Sequence, residues 1–293
     1  MKIAPADLGM LDGFERALIN NRLHLAYQPK VSLVDGSLKR VEALVRWDDP
    51  MLGPVPPSRF VPLAERNGLI DPLTHWGLRT ALSQWRVWHK QGIDICLAFN
   101  ISALSLEQLD FPDLVERMCR ALEVPTERLV LELTEGATQP LIKLMDTLTR
   151  FRIKGIGLAI DDFGTGYSTL MQLRQLPFTE LKIDRFFLTD MMESADSRLI
   201  VKTMIDLAHG LGLTATAEGV ETEAQLRLLR ELGCDVAQGY LIATPLAPET
   251  LGEWYRDWCQ RWPALIDEAP PLAAKRTRPR RKATSSTRRA SSV

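Results

Sequence analysis

The chain has 293 residues, 45% of them hydrophobic and 25% charged, with a formal net charge of −1. Such a composition belongs to a globular body, long enough for one large barrel or two smaller domains, and excludes a fibrous or wholly disordered chain. No run of about 18 apolar residues occurs, which excludes an apolar membrane-spanning helix, and Met1 to Met10 lacks the basic start and apolar core of a signal peptide.

The near-neutral charge hides an uneven distribution. From Lys275 to Arg289 there are 8 basic residues and no acidic ones, and the remainder keeps 28 basic against 37 acidic residues, a net of −9. This tail is low in apolar residues, runs on Ser/Thr-rich to Val293, and reads as disordered. It is either a patch attracted to nucleic acid or anionic lipid or a solvated extension without a partner. For a charge run of this kind the second reading carries more weight. The four cysteines, Cys96, Cys119, Cys234 and Cys259, show no paired spacing. Cys96 and Cys234 lie in or beside apolar runs, so buried free thiols in a reducing, cytoplasmic setting are expected.

Short apolar runs alternate with helical patterns along the body, the signal of a parallel sheet with crossover helices. A helix over about 11–20 precedes the first strand, 23–27, and the second strand is 41–45. A Pro-rich loop, 49–57, leads to a short helix over 60–66. Asp71 before Pro72 predicts a capped helix start, with the helix running to about Lys90. The third strand is 95–99, and Ser105 with Gln108 predicts a capping box that opens the next helix. Strands four to six are 129–133, 157–160 and 181–183, with helices over about 140–151 and 169–174 between them.

A helix over 196–210 places Leu199, Ile200, Thr203, Met204, Leu207 and Leu211 on a face expected to meet the core. Strand seven is 214–217; Thr222 with Gln225 predicts a second capping box, and Gly233 ends that helix. Strand eight is 236–240. The last helix, about 249–262, spaces Trp254, Trp258 and Trp262 four apart, a stripe expected to pack on the body. Eight strands with intervening helices over about 250 residues predict an α/β fold, a (β/α)8 TIM-like barrel.

One stretch carries the chemistry most densely. In Gly157-Leu158-Ala159-Ile160-Asp161-Asp162-Phe163-Gly164-Thr165-Gly166 an apolar strand ends in two adjacent carboxylates before a glycine-rich turn. Neighbouring strand residues point to opposite faces, so both can reach one site only where the strand ends and the chain turns. A kinase reading of Asp162-Phe163-Gly164 fails, because neither a Gly-rich nucleotide loop nor a His-Arg-Asp loop occurs. Other strands end alike: Gln28, Glu42, Arg46, Asn100, Glu132, Lys182, Asp184, Glu218 and Gln238 lie in or just after them. In a barrel these converge on one rim. The rim is rich in carboxylates and holds no histidine, which points to Mg²⁺ or Mn²⁺ rather than zinc. The surplus of carboxylates favours two ions, which activate a water and stabilise the leaving oxygen of a displacement at phosphorus. Arg46 and Lys182 are then cations for an anionic substrate.

Glu42-Ala43-Leu44-Val45-Arg46-Trp47 resembles the signature that names the EAL domain, a family of cyclic di-GMP phosphodiesterases. The similarity continues in order through Tyr27-Gln28-Pro29, Phe99-Asn100-Ile101-Ser102, Glu132-Leu133-Thr134-Glu135, Asp161 to Gly166, Leu181-Lys182-Ile183-Asp184, Ala217-Glu218-Gly219-Val220-Glu221 and Gln238-Gly239-Tyr240. It implies a barrel whose first strand runs antiparallel to the others, and cleavage of cyclic di-GMP to linear pGpG. It implies metal ligation by Glu42, Asn100, Glu132, Asp161, Asp162 and Glu218, with Asp161 bridging two divalent cations. Ca²⁺ is expected to inhibit. Lys182 matches the residue near the attacking water, and Gln28, Leu44, Arg46, Asp184 and Gln238 match substrate-binding positions. Glu135 matches the carboxylate that supports the loop after Asp162, a loop linked in the family to dimerisation, so a homodimer is implied.

Two positions depart from the pattern: Gly136 stands where Ser is frequent, and Thr244 where a basic residue commonly precedes the proline, here Pro245. The resemblance divides the chain into a lead-in (1–13), the EAL barrel (14–262) and the basic tail (263–293). Such domains often follow a sensory or receiver domain, so the chain is either a stand-alone enzyme or part of a larger protein, with such a domain lost or supplied in trans. Two alternatives stand beside this reading: a degenerate EAL module that binds the nucleotide or a protein partner without hydrolysis, and a metal-dependent barrel acting on another phosphodiester.

Overall fold

The computed structural model describes residues 5–20, 22–134, 141–164 and 170–267. Strands β1 (Leu23–Ser32) and β2 (Leu38–Asp49) form a long antiparallel pair in which Gln28 stands opposite Glu42. The three-residue β3 (Gly53–Val55) adds to the end of β2, inside the stretch expected to be only a loop. Then follow β4 (Cys96–Asn100), β5 (Leu129–Thr134), β6 (Gly157–Phe163), β7 (Glu180–Ile183), β8 (Thr214–Ala217) and β9 (Val236–Ala237). From β2 through β4 to β9 each neighbour pairs in parallel, and β9 closes the ring on β1, which is antiparallel to both its partners. Apart from β3, which lies outside the ring, this is an eight-stranded barrel with its first strand reversed, as expected.

Around it lie α1 (Pro5–Ile19), α2 (Pro57–Arg66), α3 (Ile70–Lys90), α4 (Phe111–Ala121), α5 (Leu141–Ile153), α6 (Leu170–Gln175), α7 (Arg185–Thr189), α8 (Ala195–Gly210), α9 (Glu223–Glu231) and α10 (Leu251–Asp267). Alternation along the strands explains the layering. Val41, Leu97, Phe99, Leu131, Leu158, Leu181 and Ala215 are buried in the apolar clusters outside the ring. The residues between them, Lys30, Glu42, Glu132, Glu180, Lys182 and Thr216, are also buried, and they contact one another across the barrel. An interior usually filled by branched apolar side chains is here largely charged.

Helix α1 buries Met10 and Phe14 against Trp47 and Phe60, so its packing crosses position 13. At the other end α10 brings Trp254, Trp258 and Trp262 into a contiguous row, as the four-residue spacing predicts, and Leu265 beyond them is still buried. Thr222 and Gln225 form the expected capping box of α9.

Two helix starts differ from expectation. Asp71 does not cap α3, whose cap position is Leu69 with no side-chain bond. Ser105 and Gln108 do not cap α4; Ser105 Oγ donates to Asp71 at 2.8 Å, and Gln108 Nε2 donates to the other Asp71 oxygen. Both local signals were spent on one tertiary contact. Ser102 caps the short 3₁₀ turn Ala103–Glu107 instead. The α8 face is also corrected: Val201, Met204, Ile205 and Ala208 are buried, while Leu199 and Ile200 are 65% and 45% exposed. Both sets obey helical spacing, and the sequence pattern alone does not choose between them. Of the cysteines, all unpaired, Cys119 and Cys234 are buried, Cys96 is half-buried rather than buried, and Cys259 is exposed. No described helix is long and apolar enough to cross a membrane.

Candidate active site

The seven parallel strands of the ring end at one rim, where the reversed β1 begins, and the register decides which side chains meet there. Asn100 pairs with Glu132 across β4 and β5, and Lys182 with Thr216 across β7 and β8. At the centre stands the Lys182 ammonium, 1% exposed. Its Nζ is 2.6 Å from Glu132 Oε2, 2.7 Å from Glu218 Oε1, 3.0 Å from Asp161 Oδ1 and 3.9 Å from Glu42 Oε2. Four carboxylates, three on strands and Glu218 just after β8, thus share one cation. Glu42 also accepts from Asn100 Nδ2 at 2.6 Å and from Gln238 Nε2 at 2.8 Å, and Gln238 donates to Gln28 Oε1 at 2.9 Å. Gln28 is tied by its own amide to the Ala243 carbonyl.

The sequence analysis names Lys182 and Arg46 as the cations of the rim. The structure supplies one that it missed: Lys30, fully buried, with Nζ 2.5 Å from Glu132 Oε1 and 3.4 Å from Glu42 Oε2. A second buried group lies nearby, Glu180, which pairs with Arg40 and accepts from Thr216 Oγ1 at 2.5 Å. The usable signal for Lys30 was period two: it follows Gln28 by two residues on one strand, hence on the same face.

These contacts pull the acids apart in proton affinity. Burial acts to raise the Glu42 carboxyl, but Lys182, Lys30 and the amides of Gln238 and Asn100 outweigh it and hold it well below the ordinary range. Glu132 is raised, by burial first and then by Glu42. Burial, with Asp161 and Glu42 adding to it, pushes Glu218 up to about 8. Burial alone would lower Lys182, yet the surrounding carboxylates keep it charged, well above its usual value. Burial lowers Arg46.

A cavity of about 240 Å³ opens above the cluster, walled by Gln28, Glu42, Leu44, Asp161, Lys182, Asp184, Glu218 and Gln238 together with Arg185, Gly219, Glu221, Gly239 and Tyr240. Asp184 also caps α7, accepting from the Phe186 amide at 2.8 Å. Gly239 lets the chain pass tightly here, since a Cβ on it would collide with the backbone of Val220. Arg46 and Asn100 line a second, more apolar cavity of about 240 Å³, which meets the first at Leu44. Arg46 spends one nitrogen on the Val45 carbonyl. A wider concavity of about 970 Å³ shares Asp184, Arg185, Gly219 and Glu221 with the first but holds none of the clustered carboxylates. Asp162 follows Asp161 on β6, and its side chain lies outside the described set, as do Glu135, Gly136 and the basic tail.

The donors fit a divalent cation in kind. They are hard oxygens, with neither imidazole nor thiolate among the expected ligands, and four of them already gather round a positive charge. Their present spacing suits an ammonium. Among the described residues no three His, Cys, Asp or Glu stand ready to hold a metal ion.

A barrel with a reversed first strand and a rim of carboxylates gathered round one lysine defines the class. The EAL domain family profile matches residues 12–245, and the chain belongs to that family. A cyclic di-GMP phosphodiesterase of Pseudomonas aeruginosa is 42% identical over 80% of this chain and 40% of its own length. The cyclic di-GMP phosphodiesterase RocR of the same organism is 36% identical over 88% of this chain and 65% of its own. The chain therefore spans less than two thirds of either relative. The solved structure of the PaMucR phosphodiesterase in complex with c-di-GMP is 40% identical, with a TM-score of 0.79 over 83% of this chain and 99% of that one.

Proposed function

We propose that this chain hydrolyses cyclic di-GMP to linear pGpG, with two divalent cations, Mg²⁺ or Mn²⁺, held by Glu42, Asn100, Glu132, Asp161, Asp162 and Glu218. The observation that carries the reading is the convergence of Glu42, Glu132, Asp161 and Glu218 on one point of the rim, beneath a cavity reached from solvent. The nucleotide comes from the names of the relatives and the ligand of the solved neighbour.

Charge explains why metal belongs in the reading. Those four carboxylates face two ammonium groups, Lys30 and Lys182, a formal excess of two negative charges once the raised Glu132 and Glu218 have given up their protons. A substrate carrying two phosphodiesters is repelled by such a site until cations reverse its sign. When bound, divalent cations polarise the phosphoryl oxygen and make water a stronger nucleophile. The chain's own groups do the rest. Gln238 and Asn100 fix both oxygens of Glu42. Lys182, inside the cavity wall, holds a positive charge beside Asp161 and Glu218, where it orients water and offsets charge developing at phosphorus. Arg46, Gln28, Leu44 and Asp184 line the two joined cavities and are assigned to substrate binding.

A homodimer, implied by the family's loop after Asp162, belongs to the same reading, and we assign its interface to the face of α8 that carries the exposed Leu199 and Ile200. The test is to incubate chelator-stripped protein with cyclic di-GMP, with and without Mg²⁺ or Mn²⁺, and separate the products. Metal-dependent appearance of pGpG is expected, with Ca²⁺ supporting little turnover because it accepts looser geometry. Binding without cleavage, or cleavage in excess chelator, contradicts the proposal.

A further inference from the structure

Lys30 is the unexpected charge in this barrel. It sits on β1 two residues beyond Gln28, on the same inward face, and is fully buried. An ammonium taken out of water is costly unless it is paired, and an apolar side chain is the usual filling of a barrel interior. Its partners are therefore informative. Glu132 is held at both ends, Oε1 by Lys30 at 2.5 Å and Oε2 by Lys182 at 2.6 Å. Lys30 also stands 3.4 Å from Glu42 Oε2, so it joins acids from β2 and β5.

The two lysines are not equivalent. Lys182 lies in the wall of the 240 Å³ cavity, whereas Lys30 and Glu132 do not. A cation or substrate arriving through that cavity meets Lys182; Lys30 stays behind Glu132, under the floor.

We propose that Lys30 is a positioning residue, a built-in counter-charge beneath the floor that holds Glu132 and Glu42 together in the metal-free protein and weakens the cluster's grip on divalent cations. The second half of the claim rests on the metal site proposed above. Lys30 touches neither cavity nor substrate and acts through the two carboxylates. A fixed positive charge at this range opposes an incoming divalent ion, so removing it leaves a less stable empty site that binds metal more tightly.

The experiment compares the parent, Lys30→Met, and the charge-balanced double variant Lys30→Met/Glu132→Gln. Melting temperatures are read in chelator, and Mn²⁺ affinity of the parent and the single variant by calorimetry. In chelator Lys30→Met is expected to melt about 6–12 °C below the parent, the cost of leaving a buried carboxylate half-paired. The double variant is expected to recover at least half of that loss. Mn²⁺ is expected to bind Lys30→Met about tenfold more tightly than the parent, and to raise its melting temperature by more. A merely structural lysine gives equal losses with and without Mn²⁺ and unchanged affinity; that result, or weaker binding, overturns the proposal. If the single variant does not fold, the double decides: a folded double supports the charge role, and an unfolded one overturns it. A parent that binds no Mn²⁺ overturns the metal reading and this inference with it, an outcome distinct from a parent that binds while the variant is unchanged.

Discussion

Replacing Asp161 by Asn keeps the shape of the side chain and removes one charge from the centre of the cluster. Asp161 Oδ1 is 3.0 Å from Lys182 Nζ, an attraction of about 5.5 kcal/mol at an effective dielectric constant of about 20. Against it stand the other carboxylates on the same ammonium. Through Lys182 Nζ, Asp161 Oδ1 lies at most 5.7 Å from Glu218 Oε1 and at most 5.6 Å from Glu132 Oε2. Each repulsion is then about 3 kcal/mol or more on the same scale, so together they cancel the attraction before Glu42 is counted. The metal-free variant is accordingly expected to melt no lower than the parent, and up to about 4 °C higher. The comparison belongs at pH 8.5, above the value of about 8 at which Glu218 gains its charge.

In saturating Mn²⁺ the order should reverse. A ligand at about 100 times its dissociation constant stabilises by about 2.7 kcal/mol, or roughly 5–11 °C here, and the variant forfeits much of that. Turnover should fall on the order of 10³-fold, about 4 kcal/mol of transition-state stabilisation. Scanning fluorimetry with and without Mn²⁺, beside a hydrolysis assay, reads all three. A loss of more than about 5 °C in chelator would make the carboxylate a structural acceptor and refute the balance of charges. Near-parental turnover would remove Asp161 from the mechanism.

The raised Glu218 predicts a pH dependence of the metal-free protein. A carboxyl whose folded value lies at about 8 rather than 4.5 contributes stability fully present below 4.5 and lost as pH rises through 8, on the order of 3–5 kcal/mol for one such group. Melting in chelator should therefore fall from pH 5 to pH 8, and a flat or rising profile contradicts the assignment. Gly239→Ala should melt at least about 5 °C below the parent, because the added Cβ meets the Val220 backbone, and an unchanged melting temperature would argue against that tight passage. Leu199→Asp should shift sedimentation from dimer to monomer, and an unaltered dimer would place the interface elsewhere.

The strand order and the rim were legible because both rest on local pattern: apolar runs bounded by turn residues, with polar residues at their ends. Gln28, Glu42, Asn100, Glu132, Asp161, Lys182, Glu218 and Gln238 were all found this way and meet in one place. What escaped was decided by tertiary competition. Asp71, Ser105 and Gln108 each carry a capping signal, yet they bond to one another because folding brings a carboxylate within reach of two donors. On α8 two apolar stripes of equal periodicity overlap, and only the barrel beneath selects Val201 and Ile205 over Leu199 and Ile200. Lys30 hid in a strand, since its value depends on Glu132, which lies 102 residues away.

Attack of water at one phosphodiester of cyclic di-GMP is open to a direct test, in which the reaction runs to completion in ¹⁸O-labelled water with Mn²⁺ present. Linear pGpG carrying a single ¹⁸O in its terminal phosphate is expected, with none formed in excess chelator. Unlabelled product, label in both phosphates of the first-formed product, or no cleavage at all despite bound nucleotide would contradict it.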